Sequence, residues 1–523
     1  MLNSSLSLNA SDVTRNEPRM HPSAGFLALP TVGMRLAPEI LILELFRDVF
    51  YASERSIRTK TSELAPDKRT LDKELVFSKG ERAVISAFRG RRKQSRQANE
   101  DTFYAPAYPS LAANAWMAKN RERVVSMLLF NGAIAQQLWG KGGQGSESKQ
   151  KQSDFIALIA RALAGTPKKS GENSKEYDDI LAACLPLKSR TSDVAAAVEA
   201  LQDLTASGSK TVFRVKANDE LAERIFHDFE VLCLAESRIP RLLWLRLMMT
   251  YLRFALPMWL LAQMRITVLA HGWVSQALGG GQVLDDSDIA KALGTRNRCL
   301  IRPTLIPTGE LSGRIREYVR CRVELNVMLY ALAKLRPTEF NDKFEVVTTD
   351  GGGNRIKLSE LLLVARRASE ALRAEPACQE AGSVGTCVAR YSEQFAAWRD
   401  PLTNGQGKNI DEFLRVLYRA ERGDEAGGHL LVRSGRGESA GFRIFPGQML
   451  LQLVAMLAAQ AKQGSGGGGR LVLKDIEDLF EEYGINFSLA AEARPLLIAE
   501  LQSLGLLAGS PDAGSSVAVT SPF

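Results

Sequence analysis

The ten residues 88–97, FRGRRKQSRQ, hold Arg89, Arg91, Arg92, Lys93 and Arg96 with almost nothing apolar to bury. Guanidinium groups at this density suit phosphate oxygens, because each planar fork donates two parallel hydrogen bonds. The stretch closes a wider basic segment. Between Arg55 and Arg96 thirteen Lys/Arg stand against five Asp/Glu, an excess of eight that equals the formal net charge of +8 on the whole 523-residue chain. The positive charge is therefore local, and contacts made through it are independent of base sequence and weakened by salt. The same residues also fit a solvated loop, or a basic arm that docks on an acidic protein.

Three other patterns suggest chemistry and lose it in context. Gly140, Gly142 and Gly145 satisfy G-x-G-x-x-G, but a pyrophosphate cradle needs a strand before the glycines and a helix after them. Here a helical pattern precedes and the polar run GKGGQGSESKQKQ follows; GSGGGG at 464–469 matches equally well as a linker. Gly437, Ser439 and Gly441 give G-x-S-x-G, the strained turn that presents a serine nucleophile ahead of a helix. Residues 442–445 read instead as a strand, and no histidine follows His429, so a hairpin turn is expected. Asp285, Asp286 and Asp288 lack the glycine and distal glutamate of a Ca²⁺ loop, and are expected to cap and charge the start of the following helix.

The six cysteines, Cys184, Cys233, Cys299, Cys321, Cys378 and Cys387, are scattered without a C-x-x-C pair. They read as reduced thiols of a cytoplasmic protein. Four histidines, His21, His227, His271 and His429, lie at no zinc-ligand spacing. No metal and no cofactor are expected, and no catalytic residue stands out. Residues 1–30 lack a basic region followed by an apolar run, so they read as a flexible tail and not as a secretory signal.

An apolar fraction of 45% and a charged fraction of 24% are those of folded globular chains, and the length calls for several domains. The apolar spacing is mainly helical. A basic helical unit is expected over 31–140, a linker over 141–153, a helical core over 154–340, a mixed α/β segment over 341–440 and a compact unit over 441–523. Within the core, 242–270 is the most hydrophobic stretch, but Arg246, Arg253 and Arg265 interrupt it. Its longest uncharged run is about half of the roughly 20 residues a bilayer requires. A buried helix kinked or broken at Pro257 is expected, with Arg246 and Arg253 on one polar stripe and no membrane association. Small hairpins are expected to pair 344–348 with 355–358 and 429–433 with 442–445.

Two segments resemble known modules. DIAKALG, with Ile289, Ala290, Leu293 and Gly294, looks like the first helix and turn of a helix-turn-helix. The resemblance implies Arg296, Arg298 and Arg302 in the following TRNRCLIR as phosphate or base contacts, with Pro303 limiting the second helix to about two turns. From 446 onward the order of helix, short strand, two helices and hairpin resembles a winged helix. Its charge points away from nucleic acid: from Arg470 onward three basic residues face eight acidic ones, which is poorly suited to a polyanion. Glu481 and Glu482 are the expected contacts to a protein partner.

Large helical chains ending in such a module are similar to accessory subunits of bacterial anti-phage or restriction systems and of chromosome-organising complexes. The resemblance implies a mainly α, multi-domain, non-catalytic subunit that meets nucleic acid through its basic N-terminal region and a partner protein through its C-terminus. The alternatives are a nuclease-like enzyme with dispersed acidic residues, and a purely structural adaptor.

Overall fold

The computed structural model describes residues 7–9, 220–294, 300–301, 306–335, 355–373, 379, 410, 414–418, 427–435, 440–464, 470–487, 493–508 and 516–523. They are mostly helical with small antiparallel sheets. The helical patterns expected before residue 220, the strand at 344–348 and Ser439 lie outside the described residues.

Helix α1 (Glu220–Leu234) leads through a 3-10 turn (Ala235–Arg238) into α2 (Arg241–Leu278). Helix α2 is 38 residues long and runs unbroken through Pro257. The expected break is therefore absent. Proline removes one intrahelical hydrogen bond, a cost of about 3 kcal/mol, and here the surrounding burial outweighs it. Every residue from Thr250 to Met264 is buried, as expected of a helix enclosed on all sides. By length and composition α2 is long and apolar enough to cross a bilayer, yet 83% of its most apolar window is buried inside the structure. The expected arginine stripe divides instead. Arg246 is exposed, whereas Arg253 is buried. The Arg253 guanidinium donates to the carbonyl of Val416 and, at 2.5 Å, to that of Tyr418, because the 3-10 turn Arg415–Leu417 covers its face.

Short α3 (Asp286–Leu293) begins as its sequence requires. The side chain of Asp285 accepts from the Asp288 backbone N–H at 2.8 Å, and Asp286 and Asp288 fill the first turn. After Gly294 the second helix of the expected helix-turn-helix does not reach Leu300. There the chain is extended: Leu300 N–H donates to Gly484 C=O at 2.9 Å and Ile301 forms a parallel bridge with Ile485. Strand β2 (Ile306–Pro307) then enters α4 (Thr308–Leu335), which packs along α2.

Strand β3 (Arg355–Lys357) pairs antiparallel with β1 (Ser7–Asn9), so a piece of the expected N-terminal tail is paired. Helix α5 (Leu358–Leu372) follows and also packs on α2. The hydroxyl of Ser359, in the first turn of α5, donates to the Asp286 carboxylate of α3. The second expected hairpin is present as β4 (Leu431–Ser434) and β5 (Gly441–Ile444), with Leu431 opposite Ile444 and Arg433 opposite Phe442. Strand β2 adds to the free edge of β5 to complete a three-stranded antiparallel sheet.

The C-terminal elements are α6 (Gln448–Gly464), α7 (Leu473–Glu482), α8 (Ala493–Ser503), β6 (Leu507–Ala508) and β7 (Ala518–Val519). Gly484 and Gly505, with φ of 85° and 66°, follow α7 and α8 in the left-handed conformation that glycine tolerates. At the start of α7, Asp475 accepts from the Val472 backbone N–H at 2.7 Å and from Lys462 Nζ at 2.7 Å, fixing α7 to the end of α6. These elements do not close a core of their own. One hydrophobic core runs continuously from Leu221 to Val519, and Phe254 of α2 packs on Phe480 and Tyr483 with ring centroids 6.2 and 4.7 Å apart. The 441–523 unit expected to be self-contained thus shares its apolar faces with α1 and α2.

Candidate functional site

Two polar clusters interrupt this core. In the first, α1 places Arg224 and Asp228 four residues apart on one face. Arg224 Nε donates to Asp228 Oδ2 at 2.9 Å, and the same oxygen accepts from Tyr483 Oη at 2.9 Å. Tyr251 of α2 donates its hydroxyl to the Ile225 carbonyl, and its oxygen lies 3.3 Å from that of Tyr483. Arg224 Nη1 also reaches Glu482 Oε2 at 2.8 Å. Asp228, Tyr251 and Tyr483 are all buried. Burial and the neighbouring Asp228 charge hold both tyrosine hydroxyls well above their ordinary range, so they remain protonated hydrogen-bonding groups. Asp228 Oδ1 and Arg224 Nη2 have no hydrogen-bond partner among the described residues, and His227 Nδ1 comes within 3.6 Å of that oxygen.

The second cluster lies where α2 meets α4. Cys321 and Glu324, three residues apart on α4, share the helix face turned to His271 of α2. His271 Nε2 lies 2.9 Å from Glu324 Oε2, and the Cys321 side chain is hydrogen-bonded to the same imidazole. Burial opposes charge on His271, but the hydrogen bonds to Cys321 and Glu324 outweigh it and its pKa is pushed up to about 9. One turn further along, Ser275 Oγ meets Met328 Sδ at 3.7 Å.

The residues expected from sequence fall elsewhere. Arg89, Arg91, Arg92, Lys93 and Arg96, and likewise Arg296, Arg298 and Arg302, lie outside the described residues. Glu481 and Glu482 are half-buried at the end of α7. Glu481 accepts from Asn486 Nδ2 at 3.3 Å, and Glu482 is taken up by Arg224. Among the described residues no group of three or more His, Cys, Asp or Glu is arranged to hold a metal ion.

Sequence reasoning missed both clusters. A signal for the second was present: Gln263, Thr267, His271 and Ser275 recur every four residues along an otherwise apolar helix, which marks one polar line facing a neighbour. The first had only the i, i+4 pair Arg224–Asp228; nothing local to Tyr483 connects it to a residue 255 positions earlier.

Comparisons with family models, with curated proteins and with solved structures give no match to this chain.

Proposed function

We propose that the chain is a non-catalytic, nucleic-acid-associated subunit of a multi-protein bacterial complex, in the manner of anti-phage or restriction assemblies, acting in the cytoplasm. The observation that carries this reading is the confinement of the positive charge: 55–96 holds thirteen Lys/Arg against five Asp/Glu, while the segment from Arg470 onward holds three against eight. A polyanion is drawn to the first region and repelled by the second.

The C-terminal elements support the partner-binding half of the proposal. Their order of α6, an extended Val472 bridged to Ala518, α7, α8, β6 and β7 resembles a winged helix with its hairpin wing. Helix α8 would be the groove-reading helix of such a module, but its Arg494 is tied to Glu477 at 2.5 Å. A protein partner with a basic surface suits this face better. Asp478, exposed one turn before Glu481 and Glu482, extends the acidic edge of α7.

The test is a titration of the full chain with labelled duplexes of unrelated sequence, and with RNA, from low to physiological salt. Micromolar-range affinity with a steep negative salt dependence is expected. Replacing Arg89, Arg91, Arg92, Lys93 and Arg96 with Ala should weaken every sequence about equally and flatten the salt slope by up to about 0.9 per lost phosphate contact. The triple change at Arg296, Arg298 and Arg302 should have a smaller effect of the same kind. No binding at low salt removes the nucleic-acid role and leaves the structural adaptor. Loss on one sequence alone means base-specific contacts, contrary to the proposal.

A further inference from the structure

We propose that His227 and Asp228 form a pH-sensitive latch, in which the protonated imidazole closes on the buried carboxylate that seats the end of α7 on α1. The proposal stands on the geometry and charge of the first cluster and is independent of nucleic-acid binding.

Asp228 is the hub of that cluster. It is fully buried, and its Oδ2 accepts from Tyr483 Oη and from Arg224 Nε, both at 2.9 Å. Tyr483 closes α7 at a turn whose next carbonyl, that of Gly484, accepts from Leu300 N–H at 2.9 Å. The polar seating of this turn on α1 therefore runs through one carboxylate. Its other oxygen, Oδ1, is buried without a hydrogen-bond partner among the described residues, which is costly for a carboxylate. His227 approaches that oxygen from the solvent side: its Nδ1 stands 3.6 Å away, and its side chain is 57% exposed. A protonated imidazole carries a donor at Nδ1 and supplies the missing partner.

The charge count asks for the same proton. Arg224 is paired with both Asp228 and Glu482, at 2.9 and 2.8 Å, so one guanidinium serves two carboxylates. With His227 neutral the cluster holds one cation against two anions; with His227 charged the two signs balance. The remaining groups around it do not supply that cation. Glu230 on α1 favours the charged ring, and only Arg224 opposes it among the nearby charges. On α7, Asp478 adds to the negative charge at Glu482. Tyr251 of α2 stays protonated, and Lys462 of α6 is bound to Asp475.

The direction of the switch follows. The contact with Asp228 raises the pKa of His227 above its ordinary value of 6.5, against the effect of burial. The latch is therefore fully closed below about pH 6.5 and opens as pH rises through the folded-state value. Glu482, raised by burial, also gains a proton toward acid. It does so with or without the imidazole, so a variant at 227 isolates the contribution of His227.

The experiment compares amide hydrogen exchange in the full native chain and in H227Q, at about pH 6 and about pH 9. Glutamine keeps a donor but carries no charge, and the exposure of His227 lets the variant fold. The ratio of exchange rates between the two proteins at one pH cancels the intrinsic pH dependence of exchange. Because the pair is open to solvent on one side, peptides covering Leu473–Ile485 should exchange about threefold faster in H227Q at the lower pH and equally at the higher. Peptides from α5 should not differ at either. In an E482Q background, where Arg224 serves Asp228 alone, the effect of H227Q should shrink. A ratio that is the same at both pH values, an equal change in α5, or an effect undiminished by E482Q overturns the proposal.

Discussion

Helix α2 carries both polar clusters, about 30 Å apart along its axis at 1.5 Å per residue, and their chemistry diverges because their burial does. At Tyr251 the helix meets Asp228 and Tyr483, all three of them buried, with the partly exposed Arg224 and Glu482 on the outer side of the network. At His271 it meets Cys321 and Glu324 at an edge where two of the three side chains are partly exposed. An enclosed network contributes a unique packing arrangement and is costly to break. A network at an edge can exchange protons and meet small molecules. The first cluster fastens the C-terminal turn to α1, and the second joins α2 to α4.

The sharpest way to break this contrast is at Asp228. Asp228→Ala strips Arg224 and Tyr483 of their shared acceptor within the core, and removal of one member of a buried pair costs about 3–5 kcal/mol. Tyr483→Phe removes only a hydroxyl and should cost about 1–2 kcal/mol. Urea denaturation of the full chain reads both values. A cost below about 1 kcal/mol for Asp228→Ala means that the network is not a fastening, and the contrast with the α2–α4 cluster collapses. The same network makes the fragment 441–523 a poor independent unit, since it leaves Tyr483 and the apolar face of α7 without α1 and α2.

A second comparison uses pH. The folded-state pKa of His271 is raised to about 9 from an ordinary value of 6.5. The stability it contributes is therefore fully present below about pH 6.5 and is lost as pH rises through about 9. Because the imidazole is partly exposed, solvent screening holds this contribution to the order of 1 kcal/mol. The stability gap between the native chain and His271→Gln should be widest near pH 6 and close by about pH 10. Tyr251 and Tyr483 contribute no change over that window, since both stay protonated well above their ordinary range, whereas His227, raised by its contact with Asp228, adds a change of the same sign at the first cluster. A gap that widens toward alkaline pH contradicts the assignment of His271 as a charged partner of Glu324.

How far the sequence revealed these features depends on the range of the interaction. Local features were readable: the Asp285 cap of α3, the β4–β5 hairpin and the buried character of 242–270 all follow from residues near one another in the chain. The break allowed for at Pro257 does not occur, because propensity considers one hydrogen bond, whereas the enclosure of α2 is a tertiary fact. The pairing of Arg355–Lys357 with Ser7–Asn9, and of Tyr483 with Asp228, depends on contacts hundreds of residues apart that no local pattern encodes. Of the candidate site, the i, i+4 line from Gln263 to Ser275 was legible, but its partners on α4 were not.

The smallest expected effect separates structure from partner binding on α7. Glu481 and Glu482 are neighbours in sequence and similar in exposure class, but only Glu482 is joined to Arg224 across the molecule, at 2.8 Å with its own side chain 44% exposed. Partly exposed ion pairs contribute about 0–1 kcal/mol, so Glu482→Gln should lower stability by a few tenths of a kcal/mol, and Glu481→Gln by less. Charge reversal widens the difference: Glu482→Lys sets a cation against Arg224, whereas Glu481 is bonded to the neutral amide of Asn486. Glu481→Lys is therefore the cleaner probe of the acidic α7 face. If that face receives a basic partner, this variant should slow association with the partner while leaving the urea midpoint of the free chain within error, because rim charges act mainly on encounter rate. A slowed association accompanied by an equal loss of stability would assign Glu481 to the fold, and unchanged association would move the partner to another surface.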